Sequence, residues 1–232
     1  MDRVEIGNLQ QKLPIGVGCI DNLLSGGIEN SVITEIYGEG GSGKTNLALL
    51  FSISCTKNGK RVIFIDTEGV SPERILQVSG DGEMYRENLM IFRAASLEDQ
   101  ELALMRSERL IEKYGNVGLL VIDSFTEYFR LEKTTDTASR IAGFQKQLSH
   151  ISRIAVKFKI PALITNQVYQ DIDRGTLQPF GGYVINHAMK AILEVSKVGS
   201  GKRRITVIKH RSIAEGASTD FRIVGYGITC EA

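Results

Sequence analysis

Val32-Ile-Thr-Glu-Ile-Tyr-Gly38-Glu-Gly-Gly-Ser-Gly43-Lys44-Thr45-Asn46-Leu-Ala-Leu-Leu-Phe51 decides how the rest of the chain is read. A β-branched run enters a glycine-rich loop, and a helical run leaves it. Gly38, Glu39, Gly40, Gly41, Ser42, Gly43, Lys44 and Thr45 fit Gly-x-x-x-x-Gly-Lys-Thr, the pattern of a phosphate-binding loop. Its glycines let successive backbone N–H groups turn onto phosphates, and the helix N-terminus adds its positive dipole end. Lys44 is expected to reach the β/γ-phosphates, and the Thr45 hydroxyl to ligate Mg²⁺. The strand–loop–helix context predicts a site for a nucleoside triphosphate.

The chain has 232 residues, 24% charged and 42% hydrophobic, which fits one α/β domain with a substantial core. A net charge of +1 gives no bulk case for nucleic acid or membrane, so any DNA affinity must come from local patches. Cys19, Cys55 and Cys230 have no metal-ligand spacing, and reduced thiols in a cytoplasmic protein are the simplest reading. No apolar run reaches a membrane span, and residues 1–12 have no signal-peptide core; they form a short N-terminal segment ahead of a core domain over 13–232.

Apolar strand-like runs alternate with helical patterns, predicting a mainly parallel sheet covered by helices. Strands are expected at 61–66, 89–92, 117–123 and 161–165, and a helix at 97–113. Ile141, Phe144, Leu148, Ile151, Ala155 and Phe158 mark one face of a helix over 137–158. Arg140, Lys146, Arg153 and Lys157 lie mainly on its other faces and are expected to be solvated. The last fifty residues read as alternating strands at 190–195, 203–209 and 220–224, predicting an antiparallel end to the sheet.

Ligands in open α/β sheets bind at the C-terminal ends of strands. Asp123 closes Leu119-Leu-Val-Ile and is the natural carboxylate to hold Mg²⁺ through its water shell. Glu68, past the end of the strand next to the phosphate loop, suits a base that orients the attacking water; the alternative is a surface carboxylate. Gln167 is an uncharged amide at a later strand end, able to feel the γ-phosphate and move the loop that follows.

In this order the pieces resemble the core domain of the RecA/RadA recombinase family, and within it a short archaeal paralogue. The resemblance covers nearly the whole chain: Ile15–Ile28, Ile33–Thr45, Ile65-Asp-Thr-Glu68 with Pro72–Ile75, Ile122–Thr126 with Phe129-Arg130, Thr165–Val168, Gly181-Gly182, Asn186–Ala188 and Phe221–Ile223. It implies a RecA-like P-loop ATPase core in which Glu68 is the hydrolytic glutamate and Gln167 links nucleotide to a DNA loop. Arg74 would pack on the adenine, and His187 would approach a neighbouring subunit's γ-phosphate or else be a core histidine. The family's two DNA loops would fall near 130–139 and 169–182. Arg130, Lys133 and Arg140 are candidate DNA contacts at the first, and Arg174 at the second. Tyr169, Phe180 and Tyr183 would stack on unpaired bases or pack against the sheet.

Three departures shape the functional expectation. The sequence starts almost at the core, so the helical N-terminal DNA-binding domain of the longer family members is expected to be missing, and residues 1–12 contain no Phe for the family's Phe-x-x-Ala polymerisation tether. Where those proteins carry an Asp-Ser-Pro cap on the neighbour's nucleotide, this chain has Lys209-His-Arg211. Strand alternation would put Lys209 and Arg211 on one side, as a finger pair acting in trans or as solvated strand-end charges. The resemblance thus implies a protein of recombination and repair that binds ATP, Mg²⁺ and single-stranded DNA. It would hydrolyse ATP slowly, form at most a weak homo-oligomer, and assist a RadA-type recombinase or other repair proteins. The alternatives are a self-sufficient recombinase or DNA-dependent motor, and a KaiC-like signalling ATPase without DNA function.

Overall fold

Strand β3 (Ile33–Gly38) lies at the centre of a ten-stranded sheet. The computed structural model describes residues 11–80, 84–131, 137–171, 176–179 and 188–231, with the backbone alone at 84, 137–138, 169–171 and 176–179. Strands β4 (Arg61–Asp66), β5 (Leu89–Arg93), β6 (Val117–Asp123), β7 (Ala162–Asp171) and β9 (Ala191–Lys197) join β3 in parallel, in the order β5-β4-β6-β7-β3-β9. Strands β10 (Lys202–Lys209), β11 (Ser218–Val224) and β12 (Gly227–Cys230) continue the sheet antiparallel from β9, as the alternating C-terminal pattern predicts. A separate two-stranded pair joins β1 (Lys12–Leu13) to β2 (Ile28–Glu29).

Side-chain alternation splits the core into two layers. On one face, Ile36, Val62, Phe64, Leu119, Val121 and Leu163 pack on α2 (Lys44–Lys57) and reach α1 (Gly18–Leu23) and α3 (Pro72–Ser79). On the other, Ile33, Tyr37, Ile63, Ile65, Leu120 and Ile122 pack on α5 (Leu97–Tyr114), α6 (Glu127–Leu131) and α7 (Thr137–Phe158). Helix α4 (Met84–Asn88) precedes β5. No helix among the described residues is long and apolar enough to cross a membrane.

The structure differs from the sequence reading in four places. The strand carrying Glu68 is not beside the phosphate-loop strand: β7 and β6 stand between β3 and β4. The α7 cations Lys146, Arg153 and Lys157 are exposed as expected but are also paired with α5 carboxylates. Glu108 of α5 meets His150 at 2.9 Å, Arg153 at 3.6 Å and Lys157 at 3.1 Å, while Lys157 also reaches Glu112 and Lys146 reaches Glu101. The region expected as the second DNA loop, 169–182, is partly strand, because Val168 to Asp171 pair antiparallel with β8 (Thr176–Pro179). Finally, the thiols are not all reduced: Cys19 and Cys230 form a disulfide, leaving Cys55 buried and free. Spacing gave no sign of this pair because the partners are 211 residues apart and meet only when β12 packs beside α1.

Candidate nucleotide site

β3 delivers the phosphate loop into the sheet's C-terminal edge. A Cβ at Gly38 would collide with the Val195 carbonyl, so only glycine lets β3 approach β9 this closely. Gly43, at φ +111°, turns the chain into α2, and a Cβ there would meet Ile223 Cδ1 at 2.7 Å. Lys44 is buried at the first turn, its ammonium donating to the carbonyls of Gly38 at 3.0 Å and Glu39 at 2.9 Å. Burial lowers its pKa, opposed by the nearby carboxylates of Glu68 and Asp123.

Asp123 ends β6 in register with Asp66 of β4. Burial raises its pKa to about 6, while hydrogen bonds from Thr165 and Thr45 favour its charge. Thr165 donates to Oδ1, and Oδ2 is buried with no partner among the described residues. An orphaned carboxylate oxygen beside the Thr45 hydroxyl fits a hydrated Mg²⁺. Among the described residues no three His, Cys, Asp or Glu side chains gather as a metal cage, so such an ion would depend on these two groups and on phosphate oxygens.

Glu68 is placed by the turn that carries it. Asp66 accepts the Gly69 and Val70 amides at 2.8 and 2.9 Å, and Thr67 Oγ1 accepts the Ser124 amide at 2.8 Å. The exposed Glu68 carboxylate then accepts from Gln167 Nε2 at 2.6 Å. Gln167 Oε1 in turn accepts from Arg130 Nη1 at 2.6 Å. Phe129, packed in tilted and edge-on contact with Phe125 and Phe144 with centroids 4.9–5.6 Å apart, anchors α6 and so fixes where Arg130 begins. The chain Glu68–Gln167–Arg130 links the turn after β4, the part of β7 that lies level with Gly38, and α6 across the gap that the strand order creates.

A Rad51 family model matches residues 10–231. The chain is 52% identical to the DNA repair and recombination protein RadB of Thermoplasma acidophilum, with both chains covered in full. It is 50% identical to the RadB of Thermoplasma volcanium, covering 100% of this chain and 97% of that one. A crystal structure of the RadB recombinase superposes with a TM-score of 0.80 at 29% identity, covering 95% of this chain and all of the other. The chain belongs to the Rad51 family, in its RadB branch.

Against that RadB frame, the remaining expected site residues fall in different places. Arg74 has its guanidinium in a cradle: Asn46 Oδ1 at 2.6 Å, Gln77 Oε1 at 3.0 Å, and the carbonyls of Val224, Gly225 and Gly227 at 2.8–3.3 Å. It ties the β11–β12 turn to α2 and α3. Arg211 gives Nε and Nη2 to the buried carboxylate of Glu29 within its own chain, at 3.0 and 2.6 Å. The alternation that paired it with Lys209 does not hold, because β10 shifts register between Val207 and Lys209 and ends there. Lys209 is exposed at that strand end, and Arg140 lies on α7. Lys133, Arg174, Phe180, Tyr183 and His187 lie outside the described residues, as does the Tyr169 side chain.

Sequence reading missed the supporting polar groups. Thr126 donates to Asn166 Oδ1 at 2.7 Å, and Asn166 donates to Glu35 Oε1 at 2.8 Å, next to Gln167 in the chain. The signal was present in Thr165-Asn166-Gln167, three consecutive polar residues that follow an apolar run. Lys197 and Arg203 were also missed, though they flank a glycine-rich cationic hairpin.

Proposed function

We propose that this protein binds ATP–Mg²⁺ and single-stranded DNA in homologous recombination and repair, hydrolyses ATP slowly, and assists or regulates a RadA-type recombinase. The observation that carries the reading is the unbroken hydrogen-bonded chain from Glu68 through Gln167 to Arg130. It joins a carboxylate suited to activating water with a cation at the start of the first expected DNA loop.

Bound ATP–Mg²⁺ would supply the reactive γ-phosphoryl group. Lys44 would exchange the Gly38 and Glu39 carbonyls for phosphate oxygens, a charge-assisted contact. Thr45 and Asp123 would hold the metal. Glu68 would accept the proton of the attacking water, for which Gln167 must withdraw or reorient the Nε2 that donates to it. A DNA phosphate competing for Arg130 would weaken the Arg130–Gln167 bond and so reach Glu68 through one side chain. Any role for Arg211 at a neighbour's nucleotide would require it to leave Glu29, and a role for Lys209 or His187 there would need a second copy of the chain.

Equilibrium binding and steady-state ATPase with and without single-stranded oligonucleotide test this. Lys44→Ala should lose nucleotide binding while keeping its fold. Glu68→Gln should bind ATP yet turn it over at least about tenfold more slowly. Arg130→Ala should uncouple hydrolysis from DNA, and DNA affinity should fall steeply with salt as counterions are released. Equal hydrolysis by wild type and Glu68→Gln would remove the base assignment; absent or salt-insensitive DNA affinity would count against the recombination reading.

A further inference from the structure

Two cations that belong to the same chain as the phosphate loop grip its tip. Because β9 runs parallel to β3, with Gly38 opposite Val195, its last residue Lys197 emerges at the ligand edge. The turn Val198-Gly-Ser-Gly201 closes on Lys202 through the Val198 and Gly199 backbone, and β10 brings Arg203 back to the same edge. Lys197 Nζ donates to the Gly40 carbonyl at 2.7 Å and lies 3.9 Å from the Glu39 carboxylate. Arg203 Nη2 donates to the Gly41 carbonyl at 3.3 Å, and Nη1 to the Lys202 carbonyl at 3.1 Å.

These contacts fix peptide orientation. In a trans peptide the carbonyl of one residue and the N–H of the next point in opposite directions. Holding the Gly40 and Gly41 carbonyls on the hairpin therefore turns the Gly41 and Ser42 amides away from it. The Ser42 amide indeed points back across the loop, where it donates to the Glu39 carbonyl at 3.1 Å, a partner it would exchange for a phosphate oxygen. Inward amides are what a phosphate chain needs, and fixing them beforehand removes an ordering cost from binding.

We propose that Lys197 and Arg203 are positioning residues for the nucleotide site, clamping the loop in cis with its amides set for an anionic phosphate chain. This rests on the nucleotide reading above. The clamp acts on the loop backbone, not on the γ-phosphate, so it serves a diphosphate and a triphosphate alike. It also needs no second copy of the chain, unlike a finger acting in trans.

The test is titration of fluorescent ADP and ATP analogues against wild type, Lys197→Met, Arg203→Met, Lys197→Arg and Lys44→Ala, at two protein concentrations tenfold apart. Lys197→Met and Arg203→Met should each weaken ADP and ATP by about three- to tenfold, as expected for loss of a part-exposed charge-assisted hydrogen bond. Lys197→Arg should recover most of the loss, the melting temperature without nucleotide should hold within about 1 °C, and neither result should depend on protein concentration. Unchanged affinity, a loss confined to ATP, a loss that grows on dilution, or a melting temperature that falls in step would each overturn the clamp. If wild type binds neither nucleotide, the nucleotide reading fails and takes the clamp with it. If wild type binds, Lys44→Ala does not, and Lys197→Met matches wild type, only the clamp fails.

Discussion

Glu35 stands in β3 with no exposed surface, its Oε1 accepting from Asn166 and its Oε2 without a partner among the described residues. Burial raises its pKa to about 7, with the Asn166 hydrogen bond opposing. Tyr37 and Glu194 face the same region, and burial raises the Glu194 pKa as well. Between the ordinary carboxylate range and pH 7, the folded chain holds a proton on Glu35 that the unfolded chain has lost. Stability should therefore fall as pH rises through that window and level off above it. Glu35→Gln keeps the shape and removes the titration. Chemical denaturation at pH 5 and pH 8 should show the wild type losing on the order of 3 kcal/mol more than the variant across that range, mostly from this one group. Parallel pH dependence in the two proteins would mean that Glu35 does not carry it. The sequence displayed Glu35 openly within Val32-Ile-Thr-Glu-Ile-Tyr37, but burial on both faces of a central strand is a property of the layers packed on it.

At the scale of elements, what the sequence made legible was periodicity. Helix α7 spans the predicted residues 137–158, with Phe144, Leu148, Ile151 and Ala155 buried as expected and Phe158 half-buried, whereas Ile141 is exposed and Ile154 joins the buried face instead. The phosphate loop and the ends of β4 and β6 were legible too, because loop chemistry and an apolar run that stops at a polar residue are both local signals; β7 instead runs past its expected end to Asp171. Partners across elements were not legible. Nothing within α7 reveals that α5 offers Glu101, Glu108 and Glu112 to its cations, or that Gln167 would span from Glu68 to Arg130. The α5–α7 pairs are largely exposed, with Arg153 at 64% and Lys157 at 46% side-chain exposure, so their worth is small and screened. Glu108→Gln should lower the melting temperature by no more than about 2 °C at low salt, and the gap should close in 1 M NaCl. A large, salt-resistant drop would show instead that the Glu108–His150 contact acts as buried structure.

For the molecule as a whole, the Cys19–Cys230 bridge joins the entry of the core to its last strand. β12 pairs with β11, and the β11–β12 turn is the one that Arg74 holds against α2 and α3. The bridge thus fixes one end of the wall beside the site to α1. A cross-link spanning 211 residues restricts the unfolded chain strongly: the loop-entropy model gives about 5 kcal/mol, and the loss of native bridges typically costs about 2–5 kcal/mol. For a chain of this size that corresponds to a fall in melting temperature of roughly 5–15 °C on reduction. Cys19→Ser should show the same fall without reductant and no further fall with it, which separates the bridge from side effects of the reagent. Thiol titration of the denatured, unreduced protein should count one reactive group, Cys55, and three after reduction. Three reactive thiols before reduction, or a melting temperature indifferent to both reductant and Cys19→Ser, would leave the two cysteines as neighbours rather than a bond.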